Sequence, residues 1–198
     1  KIDYDHLVIA LGQECNLEII PGLKHHSLTM RNLHDAYNVR NHILQCLELA
    51  DVTQDAKLKK RLLNMVVVGG GFSGVETVGE LKEMTDRLLP FYKNINEEEL
   101  KFFIVEYSKN LLPELGNDIG DYTQKKFKKR KIKIYLKTAL KEVSKYNAIL
   151  SNGKTIETNT LISTIGSVAT KIVKKSSLPL KYGRIITDEF LQVKGFSN

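Results

Sequence analysis

The sequence predicts an α/β protein: a βαβαβ parallel sheet joined to an antiparallel three-stranded β-meander, with a strand and a helix ahead of both. Three observations carry this. Residues 66–81 read VVVGGGFSGVETVGEL, an apolar run, a glycine turn and a helical pattern. Two more apolar runs, Phe102 to Val105 and Ile132 to Leu136, follow with a helical stretch between them, which implies right-handed parallel crossovers. After that the chain breaks into short alternating runs separated by turn residues, the habit of an antiparallel meander.

Taken in order, Asp3 to Leu11 alternates and ends in Gly12, so a short strand running into a tight turn is expected. Pro21 and Gly22 mark a loop. In it His25 and His26 read as solvated, because two adjacent side chains with no further ligand at a sensible spacing make no metal site. Leu33, Ala36, Ile43, Leu44 and Leu47, with the stem of Arg40, fall on one stripe. They predict an amphipathic helix over Leu33 to Ala50, packed on a neighbouring domain. Met65 to Val68 is a buried strand, and Val75, Val78, Leu81, Met84 and Leu88 give a helical stripe ending before Pro90.

Beyond the polar FYKNINEEEL insert, Phe102 to Val105 forms a second strand ending in Glu106. A helix near Asp118 to Arg130 leads to IKIYL, the third strand. Its lysines Lys131, Lys133 and Lys137 alternate with Ile132, Ile134 and Leu136, as on an edge strand guarded against pairing with other molecules. LKEVS, NAILS and KTIET make the meander, with a type I′ turn expected at Asn152-Gly153. NTLIST then returns as a strand ending at Gly166.

Composition bounds the function. Hydrophobic content of 42% and charged content of 27% are those of a globular protein, and no apolar run approaches the roughly 20 residues that span a bilayer. The formal charge of +7 comes largely from KKFKKRKIK, Lys125 to Lys133. With no aromatic-rich RNA signature beside it, the run reads as a solvated helix face and strand edge, not a nucleic-acid site. Cys15 and Cys46 form neither a disulfide framework nor a CxxC pair nor a zinc spacing. The opening KIDYDHLVIALG has no initiator methionine and no leader pattern, so the chain reads as a piece of a longer protein.

Gly69, Gly71 and Gly74 fit GxGxxG in a Rossmann-like setting of strand before and helix after. The first glycine allows the tight turn, the second lets a pyrophosphate approach, and the third lets the helix pack close. Phosphates would sit at the helix N-terminus, where unpaired amides and the dipole favour negative charge. Glu106, at the end of the second strand, is placed to accept hydrogen bonds from the adenosine ribose. It lies 35 positions beyond Gly71, with the polar insert supplying the excess over the usual spacing. A carboxylate there repels a 2′-phosphate, and Tyr107 and Ser108 bring no arginine to offset it, so NADH is preferred to NADPH. Glu76, expected in the first helical turn, either complements the dipole or handles a proton near the cofactor.

Several segments together resemble one family: YDHLVIALG, IPGL, LHDAYNVRNHIL, NMVVVGGGFSGVETVGEL, LLPELG, LSNGKTIETNTLISTIG and RIITDEFLQVKGFSN. In content and order they are similar to the type II NADH dehydrogenases of the pyridine nucleotide-disulfide reductase superfamily. The resemblance implies hydride transfer from NADH to FAD and electron transfer on to a quinone, without proton pumping. It implies that an NAD domain over 62–166 interrupts an FAD domain, of which 1–61 is the end segment with a connecting helix and 167–198 the return. Carried over by position, the turn Gly69 to Gly74, including Gly70, Phe72 and Ser73, holds the NADH pyrophosphate, and Glu106 its ribose. Glu76 matches the family glutamate near the flavin and quinone junction, and Thr164, Ile165 and Gly166 the turn at the nicotinamide end. Leu11 and Gly12 match an FAD-domain turn, although ALG stands where the family has Ala-Thr-Gly.

No FAD fingerprint precedes Lys1 and the quinone-site portion is absent, so the chain itself is expected to hold NADH weakly and FAD hardly at all. The implied partners are NADH, a quinone, the cytoplasmic face of a membrane through parts outside the chain, and a second copy in a homodimer. Two other readings remain: a disulfide, sulfide or ferredoxin reductase of the same superfamily, and a nucleic-acid-binding module built on the basic run.

Overall fold

The computed structural model describes residues 2–196. It divides into two compact units, Leu17–Ile165 and a second that joins Lys1–Asn16 to Gly166–Asn198. The last two residues of RIITDEFLQVKGFSN and the initial lysine lie outside the described residues.

The first elements in chain order are β1 (Gln13–Cys15), α1 (Leu23–His26), β2 (Leu28–Thr29), α2 (Leu33–Val52) and α3 (Ala56–Leu62). The glycine turn lies between β3 (Asn64–Val68) and α4 (Phe72–Leu88), followed by β4 (Lys101–Val105), α5 (Asn117–Lys129) and β5 (Ile132–Tyr135). The meander is β6 (Leu140–Ser144), β7 (Asn147–Leu150) and β8 (Thr155–Glu157), and β9 (Thr160–Ser163) returns to the sheet. The second unit resumes with β10 (Ser167–Ala169), α6 (Lys171–Lys175), β11 (Leu180–Lys181) and β12 (Arg184–Ile185).

The larger unit is built on a five-stranded sheet of order β2-β9-β3-β4-β5, parallel throughout. Side chains alternate across its faces, and each face has its own cover. Met65, Val67, Phe102, Ile104 and Ile162 pack with Ile43 and Leu47 of α2, Val78 and Leu81 of α4 and Phe127 of α5. Their neighbours Val66, Val68, Phe103, Val105 and Leu161 pack with Leu140, Val143, Ala148, Leu150 and Ile156 of the meander. Because both faces are buried, β3 and β4 read as continuous apolar runs. The α/β class, the parallel βαβαβ core, the three-stranded antiparallel meander and the lysine-guarded edge position of β5 are all present.

Four local expectations are corrected. Asp3 to Leu11 contains no strand; Val8 is 86% exposed, and with no partner to pair with among the described residues, the alternation alone does not make a strand. The helix over Leu33–Val52 forms, capped by Asn32 Oδ1 accepting the Asp35 N–H at 2.9 Å, but its stripe is rotated from the expected one. Val39, Ile43, Cys46, Leu47 and Ala50 are buried, while Leu33 is 70% exposed and Arg40 lies over the Tyr37 ring. That stripe packs on the sheet of its own unit, not on a neighbouring domain. At the SNGK turn Gly153 has φ +82° while Asn152 keeps a negative φ, so the turn is not type I′. Gly153 N–H donates to Leu150 O and Leu150 N–H to Lys154 O, a three-residue loop with its glycine left-handed. His25 and His26 are exposed as expected, on the short helix α1 instead of a loop.

Candidate functional site

The glycine turn sits at the carboxyl ends of β3 and β9, where the strand order reverses direction: β4 lies on one side of β3 and β9 on the other. Open α/β sheets bind their ligands at such a point. Gly69 has φ +108°, and a Cβ there would lie 2.5 Å from Thr164 Oγ1. A Cβ on Gly74 would lie 1.8 Å from the carbonyl oxygen of Gly69, so α4 rests directly on the turn. At Gly71, which caps α4, a Cβ would meet nothing within 4 Å. The three glycines therefore divide into two that the fold requires and one whose missing side chain leaves open space.

The spacing argument left Gly70 without a task, and the structure supplies one. A Cβ there would meet Leu111 Cδ2 at 2.7 Å and Glu106 Cβ at 2.8 Å. The only sequence signal was a third consecutive glycine.

Phe72 and Ser73 are exposed in the first turn of α4, which carries no acidic residue and no side-chain cap. Its unpaired amides and dipole are thus left for an anion. Glu76 is exposed and is the fifth residue of α4, so it belongs to the second turn; the first-turn placement is corrected because the helix begins at Phe72.

Glu106 leaves the end of β4 half-buried beside the turn. Its Oε2 accepts the N–H of Gly70 at 2.5 Å and its Oε1 the N–H of Ser108 at 2.6 Å. A carboxylate offers about four lone-pair sites, so acceptor capacity remains on both oxygens. Glu106, Tyr107, Thr138, Gly69 and Ile165 border a cleft of about 180 Å³. Thr164 is committed to the scaffold: its hydroxyl donates to Val68 O at 2.9 Å and its N–H to the same oxygen at 3.0 Å.

The remaining expected positions fall in the second unit. Gly166 has φ +81°, and its carbonyl accepts the Asn16 N–H at 2.7 Å. Gly12 has φ +67° with nothing within 4 Å of a Cβ position. Leu11 and Gly12 border a cavity of about 230 Å³ together with Ile9, Val168, Val173 and Arg184.

One polar cluster was not foreseen. His42 Nε2 and Thr160 Oγ1 lie 2.9 Å apart, with Cys46 Sγ 3.5 Å from the same nitrogen. Burial holds the His42 pKa below the usual histidine value and pushes the Cys46 thiol up. Both groups are therefore neutral near pH 7, which suits a packed core pair and not an activated thiolate. In the basic run, Arg130 faces Glu83 at 3.9 Å and Lys131 faces Glu97 at 3.0 Å, so neighbouring acids offset part of its charge.

A family model described as pyridine nucleotide-disulphide oxidoreductase matches residues 1–197. The chain is 32% identical to the external alternative NADH-ubiquinone oxidoreductase, mitochondrial, of Yarrowia lipolytica, over 98% of this chain and 36% of that protein. It is 31% identical to a probable NADH dehydrogenase of Dictyostelium discoideum, over 100% of this chain and 45% of that one. Its fold superposes on NDH2 from Plasmodium falciparum in complex with NADH with a TM-score of 0.87 at 27% identity, covering 98% of this chain and 42% of that one. The chain thus spans less than half the length of these relatives.

Proposed function

The chain belongs to the pyridine nucleotide-disulphide oxidoreductase family, and from that premise we propose that it is the NADH-binding portion of a flavoprotein NADH dehydrogenase. In this reading hydride passes from NADH to FAD and electrons go on to a quinone. One observation carries it: a glycine turn left open at Gly71, with the Glu106 carboxylate beside it, in a fold that superposes on an NADH complex.

The pyrophosphate would lie over Gly71 and the first-turn amides of α4, including those of Phe72, Ser73 and Gly74. The ribose hydroxyls would donate to the free lone pairs of Glu106, which disfavour a 2′-phosphate at the same place. Ile165, next after Thr164, would lie toward the nicotinamide end, while Gly166 opens the second unit. Glu76, exposed on α4, would hold or release a proton. The NADH-binding domain expected over 62–166 we assign to the unit Leu17–Ile165, because α2 shares its core. The second unit, with Leu11 and Gly12, would hold FAD, which supplies the step from hydride to single electrons.

No helix among the described residues is long and apolar enough to cross a membrane. We assign a peripheral position at a membrane, and the relative named as mitochondrial supports a mitochondrial one over the cytoplasmic face. A homodimer is part of the same proposal. Against the disulfide reductase alternative stand the relatives at 30% identity or more, which are named as NADH-ubiquinone oxidoreductases and NADH dehydrogenases.

Calorimetric titration of the chain with NADH and NADPH tests the reading. Tighter binding of NADH is expected; equal affinities, or no binding of either at millimolar ligand, overturn it.

A further inference from the structure

Gly70 is gripped at both of its backbone groups. Its N–H donates to Glu106 Oε2 at 2.5 Å, and its carbonyl accepts the N–H of Leu112 at 2.8 Å. The segment that supplies both partners is itself held. Ser108 N–H occupies the other oxygen of Glu106, and Leu111 fills the space a Gly70 side chain would need. Leu112 is buried with φ +51°, a region a bulky side chain adopts only when its surroundings impose it. From below, α5 approaches so closely that a Cβ on Gly120 would lie 2.5 Å from the carbonyl oxygen of Leu111.

We propose that residues 106–112 form a strap that sets the orientation of the Gly70 peptide and so aims the pyrophosphate-binding turn. Glu106 and Gly120 are then positioning residues for NADH. The proposal rests on the NADH reading and deepens it, giving Glu106 a task separate from the ribose. Phosphate oxygens are recognised by the direction of backbone N–H groups, and a turn held in place before binding avoids the cost of ordering it afterwards. The strap also explains why the residue must be an acid. Both oxygens have to accept an N–H, and a glutamine amide, whichever way it is flipped, turns an NH2 toward one of the two donors.

The test compares Glu106→Gln and Gly120→Ala with the parent chain. Two quantities are read: amide hydrogen exchange at Gly70 and Ser108 without ligand, and calorimetric affinity for NADH and for inorganic pyrophosphate, which has no ribose. Glu106→Gln is expected to raise exchange at Gly70 or Ser108 and to weaken pyrophosphate and NADH alike, by about tenfold for one lost charge-assisted hydrogen bond. Gly120→Ala, buried beneath the strap, is expected to move the same amides and both affinities in the same direction. If Glu106→Gln weakens NADH but leaves pyrophosphate affinity and both amides unchanged, Glu106 is a ribose acceptor only and the strap is wrong. If the parent chain binds no NADH, the function proposed above falls, while exchange in the ligand-free variants still decides the strap. Should one variant fail to fold, the other carries the decision.

Discussion

Two glycine turns that the sequence assigned to cofactors are built very differently. In the Gly69 to Gly74 turn, Gly69, Gly70 and Gly74 are packed against Thr164, Leu111, Glu106 and the turn's own backbone, and only Gly71 among its glycines is open. Gly12 has a left-handed backbone, and a Cβ there would meet nothing within 4 Å. The units that carry them differ likewise: the first has two cores on either face of its sheet, whereas Val173 is the only buried apolar residue among the described residues of the second. A motif gains its geometry from the elements packed around it, and among the described residues the larger unit supplies them.

The comparison can be broken most directly at the glycines. Gly74→Ala must displace the Gly69 carbonyl and is expected to lower NADH affinity by about tenfold for each amide hydrogen bond to the pyrophosphate that is lost. Gly12→Ala has room and loses only about 1–2 kcal/mol of backbone preference, with NADH affinity unchanged. Equal effects of the two on NADH affinity, measured calorimetrically, would show that the turns are not so different. Next come the cores. Ile104→Ala removes a fully buried side chain and is expected to cost about 2–5 kcal/mol in urea unfolding. Val8→Ala should stay within about 0.5 kcal/mol.

Glu106→Arg sharpens the same contrast on specificity. From sequence it should weaken NADH and tolerate NADPH. With Gly70 and Ser108 amides left without their acceptor, both nucleotides should weaken, NADH more, and a gain in absolute NADPH affinity would count against the geometry.

The smallest effect concerns pH. The native pKa of His42 is depressed by burial, so between that value and the usual histidine pKa the unfolded chain binds more protons than the native one. Stability should therefore decline as pH falls below the usual histidine value, and His42→Asn should flatten that slope in urea midpoints taken from pH 7 to 5. Cys15, half-buried, should react with an alkylating reagent before Cys46, whose thiol is buried and raised in pKa.

What the sequence determined by itself was whatever depends on neighbours along the chain. The 3.6-residue stripe of α4, the uninterrupted apolar runs of β3 and β4 and the lysine alternation of β5 each encode their own burial. The spacing of Gly69, Gly71 and Gly74 encodes a turn that needs missing side chains. What only the tertiary structure decided depends on groups far apart in sequence. The stripe of α2 was set by which face the sheet presented, because several apolar residues surround that helix and periodicity alone does not choose among them. Asp3 to Leu11 had the right alternation and no partner strand among the described residues. The Gly70 N–H and the Glu106 carboxylate are 36 positions apart, and their hydrogen bond exists because β3 and β4 run side by side and parallel, ending together at the same edge of the sheet.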